Sequence, residues 1–273
     1  MFDIDFLKRR RCLEHLADVI DRAPLVLSPF PHFVVRPFFP ADVYAALLDL
    51  LPGGDLYRPF AYEKHHNPDG ECQRRHFEMS DRALEQLEPR HRRFWRTIRS
   101  VAGSAELKQL TFAKLAPALV FRYGIRPDEV PNLPGFALPE LFCESAGYSL
   151  KPHPDTRREV VTMQIALARD ATQRGLGIEF YRRSANPLTW ARAPRGFIVA
   201  RTMDFLPNSA YAFAVLNTWR RTSWHGCRAI PASCGERHSL LNIWYEKAED
   251  SNPDLIAENG RLERALATTA AAA

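Results

Sequence analysis

The run REVVTMQIALA, residues 158–168, sets the expected fold of this chain. It is short, largely apolar and rich in β-branched residues, which is typical of a buried strand. Five later runs are also short, rich in β-branched and aromatic residues, and separated by turn residues: 175–181, 196–202, 210–217, 222–230 and 237–246. Strands at this spacing predict a β-sandwich or β-barrel.

The chain before this region has a different hydrophobic period. Apolar residues recur at helical spacing in 3–22, 40–51, 80–87 and 90–118, and a short strand is predicted at 32–39. The segment RPDEVPNLPGFALPE, residues 126–140, contains four prolines, which exclude a regular helix. It is therefore predicted to be a long, lid-like loop.

The expected organisation has four parts. A mainly helical part (1–125) precedes that proline-rich loop, an all-β core (141–247) follows it, and a helix or tail (248–273) ends the chain. At 273 residues, the chain can bury a full-sized core as one large domain. The expected fold class is α+β, with the N-terminal helices packed on the β core.

Composition narrows the function classes. The chain is 46% hydrophobic and 25% charged, has no apolar run long enough to span a membrane, and lacks the apolar core of a signal peptide at its N-terminus. Five scattered cysteines predict reduced thiols, so a cytoplasmic location is expected. The net charge of +5 reflects either an anionic substrate or a coding bias toward arginine. The sequence has no basic stripe interleaved with aromatic residues, which is the pattern typical of a nucleic-acid binder.

A candidate metal site follows from the pattern His153-x-Asp155. Residues two apart on extended backbone point to the same side, and an imidazole with a carboxylate suits Fe(II) or Mn(II). His225, on a later predicted strand, is the candidate third ligand. A rival pattern, His76-x-Glu78, lies at the edge of the helical region without a comparable strand partner and is assigned a structural or surface role.

A candidate carboxylate site follows from the pattern Arg237-x-Ser239. It comes twelve positions after His225, across the turn PASCGE, so a hairpin would place Arg237 on the strand beside that of His225. A guanidinium can hold a carboxylate through two parallel hydrogen bonds, and a hydroxyl can add a third. The pair is therefore predicted to hold the far carboxylate of a small diacid whose other end chelates the metal.

The order His-x-Asp, distal His, Arg-x-Ser resembles the iron- and 2-oxoglutarate-dependent oxygenases built on the double-stranded β-helix, a jelly-roll or cupin-like fold. Tyr148, the strand LGIEFY and the segment SWHGCRAIP resemble the prolyl-hydroxylase-like branch. The resemblance covers roughly residues 140–247. The N-terminal helices also resemble the helices that buttress the β core in that family, but this similarity is less specific.

This resemblance implies the cofactors and the site residues. His153, Asp155 and His225 would ligate Fe(II), with positions left for 2-oxoglutarate and dioxygen. Arg237 and Ser239 would hold the distal carboxylate of 2-oxoglutarate. The presence of Asp155 disfavours a halogenase of the same family. Secondary candidates, each weighed against a purely structural role, are Tyr148 for 2-oxoglutarate and Gln164, Asn217 and Trp224 for substrate.

The implied activity is a dioxygenase that hydroxylates, desaturates or cyclises at an unactivated C–H of a small polar metabolite. Alternatives are a protein or peptidyl hydroxylase of the same superfamily and a catalytically inert β-barrel binding module. Ile243 stands six residues after Arg237, where base-repair members carry a second arginine, which argues against a nucleic-acid substrate. No membrane partner is expected, and no feature of the sequence sets the oligomeric state.

Overall fold

Helices occupy most of the N-terminal region, as the hydrophobic period predicts. The computed structural model describes residues 4–60, 66, 70–192 and 194–261. Ser80 and Ser104 begin two of the helices by accepting hydrogen bonds at their side-chain oxygens from the backbone N–H groups of Ala83 and Leu107. The helices are α1 (Ile4–Arg22), α2 (Ala41–Asp49), α3 (Asp81–Leu84), α4 (Pro89–Ala102), α5 (Ala105–Lys114), α6 (Ala116–Tyr123) and α7 (253–261).

The strands form two antiparallel sheets within the described ranges. Their order is β1-β9-β6-β11-β4-β3-β2 in the larger sheet and β5-β10-β7-β8 in the smaller one. Each of the six runs predicted as strands from residue 158 onward overlaps one. The strands are β1 (His32–Val35), β2 (Arg58–Pro59), β3 (Arg74–Glu78), β4 (Phe136–Glu144), β5 (Leu150–His153), β6 (Glu159–Ala166), β7 (Ile178–Arg183), β8 (Phe197–Thr202), β9 (Ala210–Ala214), β10 (His225–Cys227) and β11 (Arg237–Tyr245).

The larger sheet has one face on the helices and one face on a cavity. Strand alternation sends Leu240 and Trp244 of β11 toward the helical layer, where the Trp244 ring lies 6.0 Å from Phe112 of α5. Arg237 and Tyr245 of the same strand line the cavity instead. The apolar core therefore lies between the sheet and the helices, and polar residues collect on the other face.

The smaller sheet faces the larger one across an aromatic contact. Phe180 of β7 lies 5.5 Å from Phe213 and 6.1 Å from Tyr211, both on β9 of the larger sheet. Phe30, just before β1, packs 4.4 Å from Phe180. The mixed helix and antiparallel-sheet class is thus confirmed. No helix among the described residues has the length and apolar character needed to cross a bilayer.

Three sequence expectations need correction or limitation. Residues 136–140 are part of β4, and Pro127–Asn132 form a 3₁₀ helix whose Val130 is buried in the helical core. None of the residues 126–135 lines the cavity that holds His153, so this segment is not its lid in the described structure. The first 125 residues also contain β2 and β3. The expected C-terminal helix exists at 253–261, and the tail beyond it lies outside the described residues.

Candidate active site

Two paired strands of the smaller sheet bring the candidate histidines together. His225 on β10 pairs directly with His153 on β5, and their ring centroids lie 4.5 Å apart. The strands approach closely because residue 226 is glycine. A Cβ at Gly226 would collide with the backbone carbonyl oxygen of Leu150, so a larger residue would push β5 and β10 apart.

Asp155 completes a compact set of three ligand groups. Its Oδ1 lies 3.2 Å from His225 Nε2 and 3.9 Å from His153 Nε2. One ligand atom from each of the three side chains lies within 4.8 Å of the others. His225 is buried and Asp155 largely so, whereas His153 is half-buried, so the set opens toward solvent on the His153 side.

Both imidazoles are oriented by the backbone. Nδ1 of His153 lies 2.9 Å from the carbonyl oxygen of Lys151, and Nδ1 of His225 lies 2.9 Å from that of Ser223. In the tautomer that satisfies each carbonyl, Nδ1–H is the donor and Nε2 keeps its lone pair. The two lone pairs then face Asp155, which is the arrangement that metal-ligating histidines require.

The Asp155 carboxylate is held with one oxygen available. The Thr162 hydroxyl donates to Oδ2 over 2.7 Å, which leaves Oδ1 toward the histidines. The Asn217 side-chain amide donates to the Asp155 backbone carbonyl over 3.0 Å and anchors the loop that carries it. These supports orient the carboxylate, and the donor set of two imidazoles and one carboxylate fits a divalent transition metal.

Electrostatics match this arrangement. Burial alone would raise the pKa of Asp155, but the neighbouring His225 and the Thr162 hydroxyl lower it below its usual value. Burial opposes protonation of His225, yet Asp155 raises the pKa of its imidazole. Glu159, near the same cluster, has a pKa raised to about 7, mainly by burial and then by the Asp155 charge. Two carboxyl groups beside the imidazoles therefore make a site that favours a cation.

The three ligand groups lie at one end of a cavity of about 470 Å³ between the sheets. Strand register distinguishes the two ends of the cavity. Tyr245, at the C-terminus of β11, pairs with Glu159 near the metal cluster, and Arg237 lies at the other end of β11. Residues lining the cavity from the smaller sheet include His153, Ile178 and His225, and those from the larger sheet include Phe142, Thr162, Gln164, Arg237 and Tyr245.

Arg237 lies at the far end of the cavity, but not on a strand beside that of His225. The predicted hairpin was wrong, because the chain crosses after β10 to the larger sheet, where β11 pairs with β4 and β6. Arg237 is 3% exposed and donates through Nε to Glu144 Oε2 over 2.7 Å, and through Nη1 to the carbonyl of Leu176. Its guanidinium thus reaches the cavity from the sheet opposite the histidines.

Two charged residues that the sequence analysis missed complete this far end. Glu144 is 1% exposed, and its Oε1 lies 3.3 Å from Nε of Arg74, a residue of β3 that also lines the cavity. The Arg74 guanidinium lies 4.2 Å from the Phe142 ring centroid and 5.4 Å from that of Tyr148. Two guanidiniums and one carboxylate leave this group, the Arg74–Glu144–Arg237 cluster, with one net positive charge.

The other candidate residues take different positions. Tyr148 is buried and lines the cavity beside the Arg74–Glu144–Arg237 cluster. Gln164 lines it too, donating to the Ser239 hydroxyl over 3.0 Å and accepting from Tyr211. Ser239 is fully buried and is not among the described lining residues. Asn217 supports the Asp155 backbone from outside the cavity, and Trp224 lines a separate groove.

The rival histidine lies on a strand, contrary to the sequence expectation. His76 is part of β3, its Nδ1 lies 3.0 Å from Glu140 Oε1, and its ring stacks on Phe142. His76, Glu78 and Glu140 also offer ligand atoms within 4.8 Å. In this set, however, Glu78 is exposed, so the set is less enclosed than His153, Asp155 and His225.

A third group of ligand-type side chains comprises Cys143, Glu236 and His238. The Arg75 guanidinium donates to both the Cys143 sulfur, over 3.3 Å, and the Glu236 carboxylate. A cationic side chain is therefore already paired with two members of this group. Burial also raises the pKa of the Cys143 thiol to about 12, which disfavours the thiolate that a metal needs.

Comparisons with known proteins give matches among solved structures only. No protein-family model matches the chain. A search of curated proteins also finds no match. The chain is similar in structure to a prolyl-4-hydroxylase from Pseudomonas putida, with 16% identity and a TM-score of 0.48 over 85% of this chain and 99% of that one.

Two further structures show a comparable similarity. An oxidoreductase of the 2OG-Fe(II) oxygenase family from Burkholderia pseudomallei has 15% identity and a TM-score of 0.46, with 89% of this chain and 93% of that one covered. HygX from Streptomyces hygroscopicus, solved with nickel, 2-oxoglutarate and hygromycin B, has 11% identity and a TM-score of 0.44, with 86% and 87% covered.

Proposed function

We propose that this protein is an Fe(II)- and 2-oxoglutarate-dependent oxygenase whose two facing sheets form a double-stranded β-helix. The observation that carries the proposal is the convergence of His153 Nε2, His225 Nε2 and Asp155 Oδ1 at one end of a cavity that has a buried arginine at its other end. Iron and 2-oxoglutarate, when bound there, would supply oxidation by dioxygen, with conversion of the 2-oxo acid to succinate and carbon dioxide.

The chain's residues divide the work between the two ends. His153, Asp155 and His225 would hold the metal, and their second partners keep the ring nitrogens and Oδ1 aimed at one point. At the far end, Arg237 has five N–H donors, of which contacts to Glu144 and Leu176 occupy three. Two donors and the net positive charge of the Arg74–Glu144–Arg237 cluster would then receive the distal carboxylate of the cosubstrate.

The size of the cavity favours a small-molecule substrate and disfavours a folded protein. Its volume of about 470 Å³ lies in the range of ordinary small-ligand sites, roughly 300–1,000 Å³. We further propose that the substrate is a polar metabolite that enters from the His153 side, where the metal cluster is least buried. A peptidyl hydroxylase would need an open groove at that point to admit a chain.

The test is anaerobic titration of the purified protein with Fe(II) and then 2-oxoglutarate, following the weak visible charge-transfer band. Wild type should give the band, and His153→Ala should lose it. His76→Asn is the matched control, because it removes an imidazole from the rival cluster and should keep the band. An absent band in wild type would reject the proposal in favour of an inert binding module, and a band that survives in His153→Ala would reject the proposed metal site.

A further inference from the structure

A second concavity, of about 950 Å³, lies beside the candidate metal cluster. Its walls come from the segment before β1 (residues 27–31), the end of β7 and the loop between β9 and β10. We call it the arginine groove after its most frequent lining residue. Its polar and aromatic lining includes Arg182, Arg183, Arg220, Arg221, Trp219 and Trp224.

The groove carries uncompensated positive charge. No aspartate or glutamate is among its described lining residues, and none of its four arginines forms an ion pair with a described residue. Elsewhere on the surface, exposed arginines do find carboxylates, as Arg10 does with Glu14 over 2.7 Å and Arg126 with Asp128 over 3.0 Å. Four like charges that line one groove without a lining counter-charge create a local potential that favours an anion.

The groove also presents apolar surface next to these charges. Trp219 is 87% exposed, and the Arg220 guanidinium lies 4.9 Å from its ring centroid. Arg183 lies 4.9 Å from the Trp224 ring in the same way. Trp219 therefore offers a large, flat apolar surface beside the guanidiniums. A guanidinium beside an aromatic surface is suited to an anion attached to a flat apolar group.

The groove and the metal cluster share a wall one residue thick. Residues 216 and 218 line the groove, whereas Asn217 between them donates to the Asp155 backbone carbonyl over 3.0 Å. Trp224 lines the groove, and the next residue is His225. Any ligand that presses on this wall contacts the segments that position two of the three candidate metal ligands.

We propose that the arginine groove is a second ligand site, which binds a small molecule through an anionic group, a carboxylate or a phosphate, joined to a flat apolar ring. This ligand is distinct from the substrate, which enters the cavity from the His153 side, and the inference rests on the proposed function only in coupling the groove to the metal cluster. The guanidiniums hold the anion, Trp219 covers the ring, and the shared wall transmits binding to the segments that position the metal ligands.

The test is a fluorescence titration of the full chain, because Trp219 and Trp224 report from inside the groove. The probes are phenyl phosphate, benzoate and uncharged benzyl alcohol. Either anion, or both, should bind at least about tenfold more tightly than the alcohol, and the stronger one identifies the anionic group. Arg182→Gln combined with Arg220→Gln should weaken that anion at least about tenfold, whereas the paired surface arginines Arg10→Gln and Arg126→Gln together should leave it within about twofold.

Several outcomes would overturn the inference. These are equal binding of the alcohol, an unaffected groove variant, an equally affected control variant, or a single-stranded oligonucleotide that binds more tightly than both small anions. In the protein loaded with Fe(II) and 2-oxoglutarate, the anion should shift the visible band in wild type but not in the groove variant. A band that forms and does not shift rejects the coupling of the groove to the metal cluster while the proposed function stands. Anion binding without any band rejects the proposed function instead, and His153→Ala should retain anion binding.

Discussion

The buried Arg74–Glu144–Arg237 cluster makes a quantitative prediction about stability. Glu144→Leu removes the carboxylate that both guanidiniums share, while Arg237 remains almost fully buried. Breaking a buried ion pair from one side leaves an uncompensated charge and should cost about 3–5 kcal/mol of unfolding free energy. Arg237→Met should cost less, about 1.5–3 kcal/mol, because Glu144 keeps its contact with Arg74 at 3.3 Å.

The double variant, Glu144→Leu with Arg237→Met, distinguishes the loss of the ion pair from the loss of packing. Once Glu144 is gone, Arg237 has lost its counter-charge, so adding Arg237→Met should recover part of the cost, and the two effects should fall short of additivity by about 1 kcal/mol or more. Urea unfolding followed by far-ultraviolet circular dichroism measures all three variants, with an unchanged m-value as the control for an unaltered denatured state.

Two results would refute this reasoning. Strict additivity of the two substitutions would show that Glu144 and Arg237 do not act as a pair. A cost for Arg237→Met equal to that for Glu144→Leu would show that Arg74 does not share the carboxylate. Either result would also remove the charge balance on which the carboxylate-binding role of the cluster depends.

Three further predictions concern other contacts. In the metal-free protein, folding raises the pKa of Glu159 from 4.5 to about 7. The native state therefore keeps this proton to higher pH than the unfolded state does, and the unfolding free energy should fall by about 3 kcal/mol as pH rises through that range. Denaturation at pH 5 and pH 8 should show this fall in wild type and not in Glu159→Gln. Asn208 has a φ of +55° and is hydrogen-bonded to both backbone groups of Phe39. Asn208→Ala should lower stability by about 2–4 kcal/mol in thermal melts, and Asn208→Gly should lower it by less. A larger loss for glycine than for alanine would show that the positive φ does not disfavour alanine at this position. Tyr44→Phe loses a 2.6 Å hydrogen bond to the Ala168 carbonyl and should lower stability by about 1 kcal/mol by urea midpoint, and no change would show that water replaces it.

The candidate metal cluster could be anticipated because its signals are local. His153 and Asp155 lie two apart just before a predicted strand, and His225 lies within a short run rich in β-branched and aromatic residues, so the sequence places all three in the predicted β core of 141–247. Their approach to one another depends on β5 pairing with β10, which no local pattern specifies. The sequence therefore predicted the ligand types, and the structure supplied their distances.

The position of Arg237, at the end of the cavity proposed to bind a carboxylate, was harder to predict because it depends on which sheet β11 joins. A six-residue turn between two strands reads as a hairpin, yet the chain crosses to the other sheet, and nothing in the turn distinguishes the two cases. Glu140, Phe142 and Glu144 alternate on one face of β4, a signal that the prolines of 126–140 concealed. Arg74 was missed because β3 is short and its residues are mostly half-buried.

The two ends of the cavity belong to different sheets, and this has a mechanical consequence. The histidines are carried by the smaller sheet, and Arg237 by the larger one. On the proposed function, a diacid that spans the cavity would act as a removable crosslink between the sheets. Metal alone, or a 2-oxo acid without the distal carboxylate, would reach the larger sheet only through the hydrogen bond from Thr162 to Asp155. Resistance to thermal unfolding would then rise most sharply for metal and 2-oxoglutarate together.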